Sequence, residues 1–487
     1  MTRLPLIALA LTVAGCEVGP DFHSPAAPTD TSYTPLPVRT ASANTPGGAA
    51  QRFVTDKDIP GEWWALFHSE PLDRLVRQAL AANPDLDAAR AALRQAQENL
   101  YAGQGSLFPT ASASLQPQRA LISGASLGEP GLHETLSVVT GNLNIAYAPD
   151  VFGGTRRQIE SLGAQVDYQR FELEAAYLTL TSNVVVAAVQ EASLRGQISA
   201  TQDIINDQQR GLDLVRSRFG LGGASRADVL SQEAALAQTK ASLPPLKHQL
   251  AQNRDQLTAL AGQLPSHEIS QIFDLTGLVL PEELPVTIPS RLIEQRPDVQ
   301  AAEAQLHAAS AQIGVATANQ LPQFSIGAAA GSAATGFGTL FNAASGTWSI
   351  TGGVTQSLFD AGTLLHRKRA TVAAFEQTAA QYRSTVIKAC QNVADALHAL
   401  ETDADALAAQ SAAERSAFAS LDLSRRQYGF GAIDYLTLLN AQRTWQQARV
   451  SLVQAEAARY ADTAALFQAL GGGWWHRIDV ADTTQTP

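Results

Sequence analysis

Residues 83–115 read NPDLDAARAALRQAQENLYAGQGSLFPTASASL, and residues 296–329 read RPDVQAAEAQLHAASAQIGVATANQLPQFSIGAA. The two stretches align without a gap from Pro84 and Pro297 onwards. The match resumes further along at three pairs of segments: Val151-Phe152 and Leu358-Phe359, Phe219-Gly220 and Tyr428-Gly429, and Leu260-Ala261-Gly262 and Leu470-Gly471-Gly472. A repeat of roughly 210 residues is far longer than a solenoid repeat of about 20–50 residues. One large unit is therefore present twice, and we place its copies at 61–275 and 276–473.

Each copy passes from a helical pattern to alternating polar and apolar residues. This period of two predicts strands with one polar and one apolar face. The predicted strands lie at about 109–118 and 136–149 in the first copy, and at about 322–331 and 347–359 in the second. About ten residues is the length that a tilted transmembrane strand needs.

Apolar residues seven positions apart then continue for long distances and predict coiled-coil packing of long helices. The predicted helices lie at about 155–218 and 226–262, and at about 363–427 and 434–470. A helix of about 60 residues reaches roughly 90 Å. Pro244-Pro245 predict a break in the second of these helices. Two shorter helices are predicted from about Pro71 to Ala82 and from Asp85 to Gly105.

The N-terminus has the pattern of a targeting segment. Arg3 precedes a short apolar run, Leu4 to Val13, which is too short for a membrane-spanning helix of about 20 residues. Small residues then lead to Cys16, and the whole resembles a bacterial lipoprotein signal at 1–15. Cys16 would carry a diacylglyceryl group and an acyl chain, and Glu17 favours sorting to the outer membrane. The alternative is an ordinary signal peptide with an incidental cysteine. Residues 16–60, rich in Pro, Thr, Ser and Ala, predict a lipidated extended tether, and 474–487 a C-terminal tail.

Composition excludes several other classes of function. The formal charge is −11 and no basic cluster occurs, so the sequence predicts no nucleic-acid binding. The nine histidines are scattered and no set of cysteine ligands accompanies them, so we expect no metal site. Neither a phosphate-binding loop nor a dinucleotide fingerprint is present. We therefore expect no enzyme activity and no cofactor apart from the lipid on Cys16.

Four strands in one chain cannot close a barrel, and open edges in lipid would leave unsatisfied amides that cost several kcal/mol each. Two copies give eight strands with a filled interior, whereas three give twelve strands and room for a lumen. We therefore predict a mainly α protein with a membrane β-barrel that copies of the chain close together, four strands per chain, and long helices that assemble as a hollow coiled-coil cylinder below it. The alternation places two sets of side chains on opposite faces: Val139, Leu143, Ile145 and Tyr147 towards lipid, and Thr140, Asn142 and Asn144 towards water.

The stretch LPVTIPSRLIEQRPDVQAAEAQLHAASAQIGVATANQLPQFSI, residues 284–326, resembles the outer-membrane factor family of TolC-like trimeric channels. Four other segments resemble its lipoprotein multidrug-efflux branch, which is RND-associated and NodT-type: Val18 to Phe22, Trp63 to Phe67, Tyr435 to Arg443, and Leu470 to Trp474. The resemblance implies a homotrimer in contact with outer-membrane lipid. Its fold would be a trimeric 12-stranded β-barrel, four strands per chain, continued by a long periplasmic α-helical coiled-coil barrel. It also implies two protein partners, a periplasmic adaptor (membrane fusion) protein and an inner-membrane RND-type pump.

The resemblance also implies a periplasmic gate at one helix-turn-helix tip. In the family, a ring of apolar side chains and a ring of acids narrow the pore there. By position, the apolar ring falls on Leu436 and the acidic ring on Asn440, where an amide replaces the usual carboxylate. Asp434 could supply the acidic field instead, or it could be only a helix cap.

We expect the adaptor-contacting surface at the other helix-turn-helix tip, residues 222–230, together with two residues of the first tip. It comprises the following residues of both turns: Gly222, Arg226, Asp228, Tyr428 and Gly431. The alternative is that these are ordinary turn residues.

The favoured function is passive conduction of drugs and toxic compounds from an inner-membrane pump through the periplasm and outer membrane. Two alternatives remain open: an outer-membrane duct for metal ions or for type I protein secretion, and a pore-less periplasmic coiled-coil scaffold. The predicted strands argue against the scaffold, which has no use for lipid-facing alternation. The expected location is the bacterial outer membrane, with a lipid anchor and most of the mass in the periplasm.

Overall fold

The computed structural model describes residues 17–36, 38–55, 57–123 and 133–477. The predicted signal, Cys16 and the end of the predicted tail lie outside the described residues. No helix in the described ranges is both long enough and apolar enough to cross a membrane.

The helices repeat in length between the two halves of the chain. They are α1 (Glu70–Ala82), α2 (Pro84–Gly105), α3 (Gly154–Gly220), α4 (Arg226–Leu260), α5 (Pro289–Gln295), α6 (Pro297–Ala318), α7 (Thr363–Gly429) and α8 (Tyr435–Ala469). Helices α2 and α6 each have 22 residues, α3 and α7 each have 67, and α4 and α8 each have 35. Equal lengths in corresponding positions are what the duplicated sequence predicts.

The predicted break at Pro244-Pro245 is wrong, because α4 continues through both prolines. A proline inside a helix removes one backbone hydrogen bond and crowds the preceding turn. Both prolines are exposed. Buried residues on either side, Leu236 and Leu257, hold the two ends of α4 in place. Tertiary packing therefore overrides the local preference.

Four strands form one antiparallel sheet in the order β2-β3-β5-β6. The strands of this sheet are β2 (Thr110–Ser123), β3 (His133–Tyr147), β5 (Gln323–Ala334) and β6 (Gly346–Thr355). Two short strands, β1 (Arg52–Thr55) and β4 (Glu283–Val286), form a separate two-stranded sheet. Strands β2 and β3 have 14 and 15 residues, more than the ten or so predicted. The sheet ends at β2 on one side and at β6 on the other.

The chain divides into two compact units that do not coincide with the two sequence repeats. The first unit contains Ala92–Gln169, Ala301–Tyr382 and the described residues up to Pro25, and it includes the four-stranded sheet. The second contains Ala26–Ala91, Arg170–Gln300 and the described residues from Arg383 onwards. Each unit therefore takes segments from both repeats, because the long helices pass from one unit into the other.

Residues 38–55 of the predicted tether pack within the second unit. Strand β1 pairs in parallel with β4, a pairing that the sequence did not reveal. The buried Arg459 of α8 donates to the carbonyl of Gly47 and to the side chain of Gln51, each at 3.0 Å. Nearby, Trp63 stacks on Phe467 with ring centroids 5.4 Å apart. This part of the tether is therefore bound to the second unit.

Candidate functional site

The turns that follow α3 and α7 have the same backbone conformation. Gly222 and Gly431 have positive φ angles of 78° and 70°, which glycine adopts without the cost that a Cβ imposes. In both turns the N–H of the next residue donates to a carbonyl five positions back, at 2.8 and 2.9 Å. This is the Schellman arrangement, which satisfies the last carbonyls of a helix.

The helices that return from these turns are capped by side chains. Ser225 accepts the N–H of Asp228 at 3.1 Å, and the Asp228 carboxylate accepts the N–H of Ser225 at 2.8 Å. Asp434 accepts the N–H of Thr437 at 2.8 Å, and its hydrogen bonds with Thr437 lower the pKa of this carboxyl. Asp434 is therefore a helix cap that stays ionised and exposed at the start of α8. The same group can act as a cap and as a source of negative field.

The two turns are tied together by Arg218, which the sequence analysis missed. Its guanidinium lies 4.8 Å from the centroid of the Tyr428 ring and donates to the carbonyls of Tyr428 and Gly429 at 3.3 and 3.4 Å. Tyr428 in turn meets the edge of Tyr435 at 5.4 Å, and the Tyr435 hydroxyl donates to Gln232 of α4. The seven-residue spacing of the two tyrosines was the signal available in the sequence.

A cavity of about 300 Å³ lies beside this group of contacts. Arg218 and Arg425 line it together with Asp207, and Arg425 lies 3.3 Å from the Asp207 carboxylate. Tyr428 and Tyr435 supply its aromatic wall. Arg210 lines the cavity as well, so the tip offers a polar recess with three arginines and the Asp207 carboxylate.

The predicted gate residues lie on the uncovered face of α8. Tyr435 and Leu438 are buried in a cluster with Val215 of α3. Leu436 is 59% exposed, and Asn440 is exposed one helical turn further on. Residues four apart share a helix face, so Leu436 and Asn440 present one stripe away from the packed side.

The predicted tip residues fall into two groups. Tyr428 is part of the Arg218 contact, and Gly431 forms the turn that follows it. Gly222, Arg226 and Asp228 belong to the other turn, where Arg226 is exposed at the first position of α4. The structure brings both turns into one region of the second unit through Arg218.

The four-stranded sheet has one apolar face and one polar face. Its register places Leu143 opposite Ala113 and Ala330, and Asn142 opposite Ser114 and Gly331. The apolar face includes these exposed side chains: Leu115, Leu143, Ile145, Ile326, Trp348, Ile350 and Val354. The opposite face carries small and polar side chains: Ser112, Ser114, Gln116, Thr140, Asn142, Asn144, Ser349 and Thr351. The predicted alternation of β3 thus extends across all four strands.

The residues that follow Cys16 are fixed to the first unit. Arg157 of α3, with a side chain only 6% exposed, lies 2.7 Å from the carboxylates of both Asp21 and Glu160. Phe22 stacks on His307 at 4.4 Å, and His307 contacts Glu160 at 2.8 Å. This attachment places residue 17 beside the turn between β3 and α3, where the N–H of Val18 donates to Phe152.

Known proteins resemble the chain over nearly its whole length. The model of the outer membrane efflux protein family matches residues 75–263 and 288–472. The pyoverdine export outer membrane protein OpmQ of Pseudomonas putida is 29% identical over 447 residues, covering 91% of this chain and 94% of OpmQ. The toluene efflux pump outer membrane protein TtgC of Pseudomonas putida is 27% identical over 489 residues, 99% of each protein.

The fold also resembles solved structures over nearly the whole chain. The outer-membrane channel OprN superposes with a TM-score of 0.84 and 27% identity, covering 94% of this chain and all of OprN.

Proposed function

The chain belongs to the outer membrane efflux protein family, and from this premise we propose that three copies form an outer-membrane duct that passively conducts small organic molecules. The observation that carries the proposal is the sheet with one apolar and one polar face. An exposed apolar face of this extent marks contact with lipid or protein. A polar face on the other side of the same strands suits a water-filled lumen.

The open edges of the sheet support a trimer. Strands β2 and β6 each have one neighbour, so each presents a row of unpaired backbone groups. In lipid such edges must be paired. Copies of the same chain can pair them, β2 of one with β6 of the next, and three copies give the smallest closed barrel with a lumen.

The exposed stripe on α8 supports a gate at the tip. In a threefold assembly, the three Leu436 side chains would form an apolar ring that narrows the pore. In the closed state this ring would exclude water from the constriction. Asn440 would add a ring of amides, and the ionised Asp434 would supply negative charge in place of the family's acidic residue.

The names of the relatives support protein partners for this chain. TtgC is an outer-membrane protein of an efflux pump, and we propose that this chain likewise receives its cargo from an inner-membrane RND-type pump. A periplasmic adaptor protein would contact the turns that contain Arg226 and Gly431. Lipid on Cys16 would anchor the chain next to the sheet, because the residues after it are bound there. OpmQ and TtgC are named for different cargoes, pyoverdine and toluene, so the family fold itself does not fix the cargo.

The substitution Leu436→Ser tests the gate and the channel together. We expect a several-fold higher resting conductance in planar bilayers and greater vancomycin sensitivity of cells, because a polar ring no longer excludes water. The matched control is Leu230→Ser, since Leu230 is 52% exposed on α4 but lies on the other turn's returning helix. Equal conductance of the two variants and the parent would show that Leu436 does not narrow the pore. Absence of any conductance in the parent and in the Leu436→Ser variant alike would contradict the proposed duct.

A further inference from the structure

We infer that the loop between β5 and β6, residues 335–345, lies on the lipid side of the sheet, at the boundary between hydrocarbon and headgroups, instead of over the pore. The surface concerned consists of Phe337, Leu340 and Phe341 and is called the loop surface. The inference rests on the proposed function, which makes the apolar face of the sheet the lipid-facing one.

The backbone of the loop crosses the apolar face. Ser332 pairs with Gly141, which lies between Val139 and Leu143 in the alternation of β3, so its side chain shares their face. The Ser332 hydroxyl is hydrogen-bonded to the carbonyl of Leu340 and lies 3.1 Å from that of Ser345. These contacts place Leu340 and Ser345, the two ends of the segment 340–345, on the apolar face of the sheet.

Leu340 seats the loop on the sheet. Its side chain is 3% exposed, and its Cδ2 lies 3.8 Å from the position that a Cβ on Gly141 would occupy. Val139, on the same face, is only 5% exposed, whereas Leu143 is 50% exposed. The apolar face is therefore covered at the loop end and open further along.

Phe337 and Phe341 flank this seat and project from it. They are 60% and 93% exposed, and a phenyl ring has no polar group to hydrogen-bond with water. Fully burying such a side chain stabilises by about 1.5–3 kcal/mol. In the proposed duct, lipid acyl chains cover the apolar face. The same acyl chains would bury the two phenyl rings, so no protein partner is needed to cover them.

The distribution of aromatic residues on the sheet supports a position of the loop at the boundary between hydrocarbon and headgroups. Transmembrane barrels carry aromatic girdles at both edges of the apolar band. Within the four strands, Tyr147 and Phe324 lie at one end of the sheet, and Trp348 lies nearer the other. Phe337 and Phe341 add two aromatic rings at the end where the strands supply few.

A charged residue marks the polar boundary at the same end. Arg119 pairs with Ser137, two positions beyond Val139, and so lies on the same face. A cation there suits the headgroup region and not the hydrocarbon. Since Val139 pairs with Ala334, the last residue of β5, the loop leaves the sheet just below the level of Arg119.

Spin labels on single cysteines test the inference in proteoliposomes of the full-length protein. The background is Cys390→Ala, and its residual labelling is measured separately. Phe341→Cys reports on the loop, Ile350→Cys on the apolar face and Ser349→Cys on the polar face of the same strand. Power saturation compares accessibility to oxygen, which concentrates in lipid, with accessibility to a water-soluble nickel chelate.

The expected result is a several-fold higher ratio of oxygen to nickel accessibility at Phe341 and Ile350 than at Ser349. If Ile350 and Ser349 differ in this way but Phe341 behaves like Ser349, the loop is in water and the inference is wrong, while the proposed duct stands. If Ile350 and Ser349 do not differ, neither face meets lipid, and the proposed function fails with the inference.

Discussion

Asp403 of α7 carries a carboxyl group that holds its proton near neutral pH. Burial, together with the neighbouring carboxyl of Asp462 on α8, raises the pKa of Asp403 to about 7, while Arg459 opposes the shift. A carboxyl whose pKa is higher in the folded protein than in the unfolded chain favours folding when it is protonated. Its contribution is complete only below the ordinary carboxyl pKa of 3.8, and it is lost as the pH rises from there through about 7.

We therefore expect the thermal stability to fall between pH 5 and pH 8, and Asp403→Asn to reduce that fall. Asparagine is uncharged at every pH, so the variant should melt at a higher temperature than the parent, and by a larger margin at pH 8 than at pH 5. Melting followed by circular dichroism at the two pH values measures this. Asp405→Asn, an exposed change on the same helix, should leave the pH dependence unaltered. An equal loss of stability at both pH values would contradict the assignment.

At the scale of the elements, the two turns depend on the left-handed backbone of Gly222 and Gly431. No atom lies within 4 Å of a Cβ built on either residue, so a substitution there meets backbone strain alone. We expect Gly222→Ala and Gly431→Ala each to cost about 1–2 kcal/mol of local stability. Gly220→Ala is the control: its Cβ also meets nothing, but its φ is not positive, so it should stabilise by about 0.5–1 kcal/mol. Hydrogen exchange of the turn amides reports the difference, and equal protection in all three variants would show that the turns are not held by glycine.

The elements that follow from local patterns were predictable from the sequence. The heptads of α3 and α7 and the alternation of β3 depend on residues close together in the chain, which a periodicity reports directly. The continuation of α4 through Pro244 was not predictable, because the packing that holds it comes from distant residues. The pairing of β1 with β4 joins segments more than 200 residues apart, and neither segment signals the other.

Residues of the candidate site were predictable only where the residue type itself indicates a structural role, as glycine does in a turn. Gly222 and Gly431 were recognisable because a turn after a helix favours glycine. Leu436 and Asn440 were assigned through the family resemblance, and the structure adds that they share an uncovered face. Arg218 was missed because its partner Tyr428 lies 210 positions away, and an arginine before a turn has no distinguishing pattern.

At the scale of the whole molecule, a single chain is an incomplete object. Its sheet exposes an apolar face and two edge strands, β2 and β6, each of which would carry an unsatisfied row of backbone groups in lipid. Soluble proteins cover or charge such edges. Here the edges belong to a sheet whose two faces differ in polarity over most of its length. Pairing with further copies of the chain would satisfy the edge amides and would also enclose the polar face.

The mass of the particle extracted from outer membranes in mild detergent tests this claim most directly. Native mass spectrometry, which removes the detergent before the mass is read, should give three chains per particle, and heating in dodecyl sulfate should release single chains. A particle containing one chain, stable in detergent and without conductance, would contradict the account.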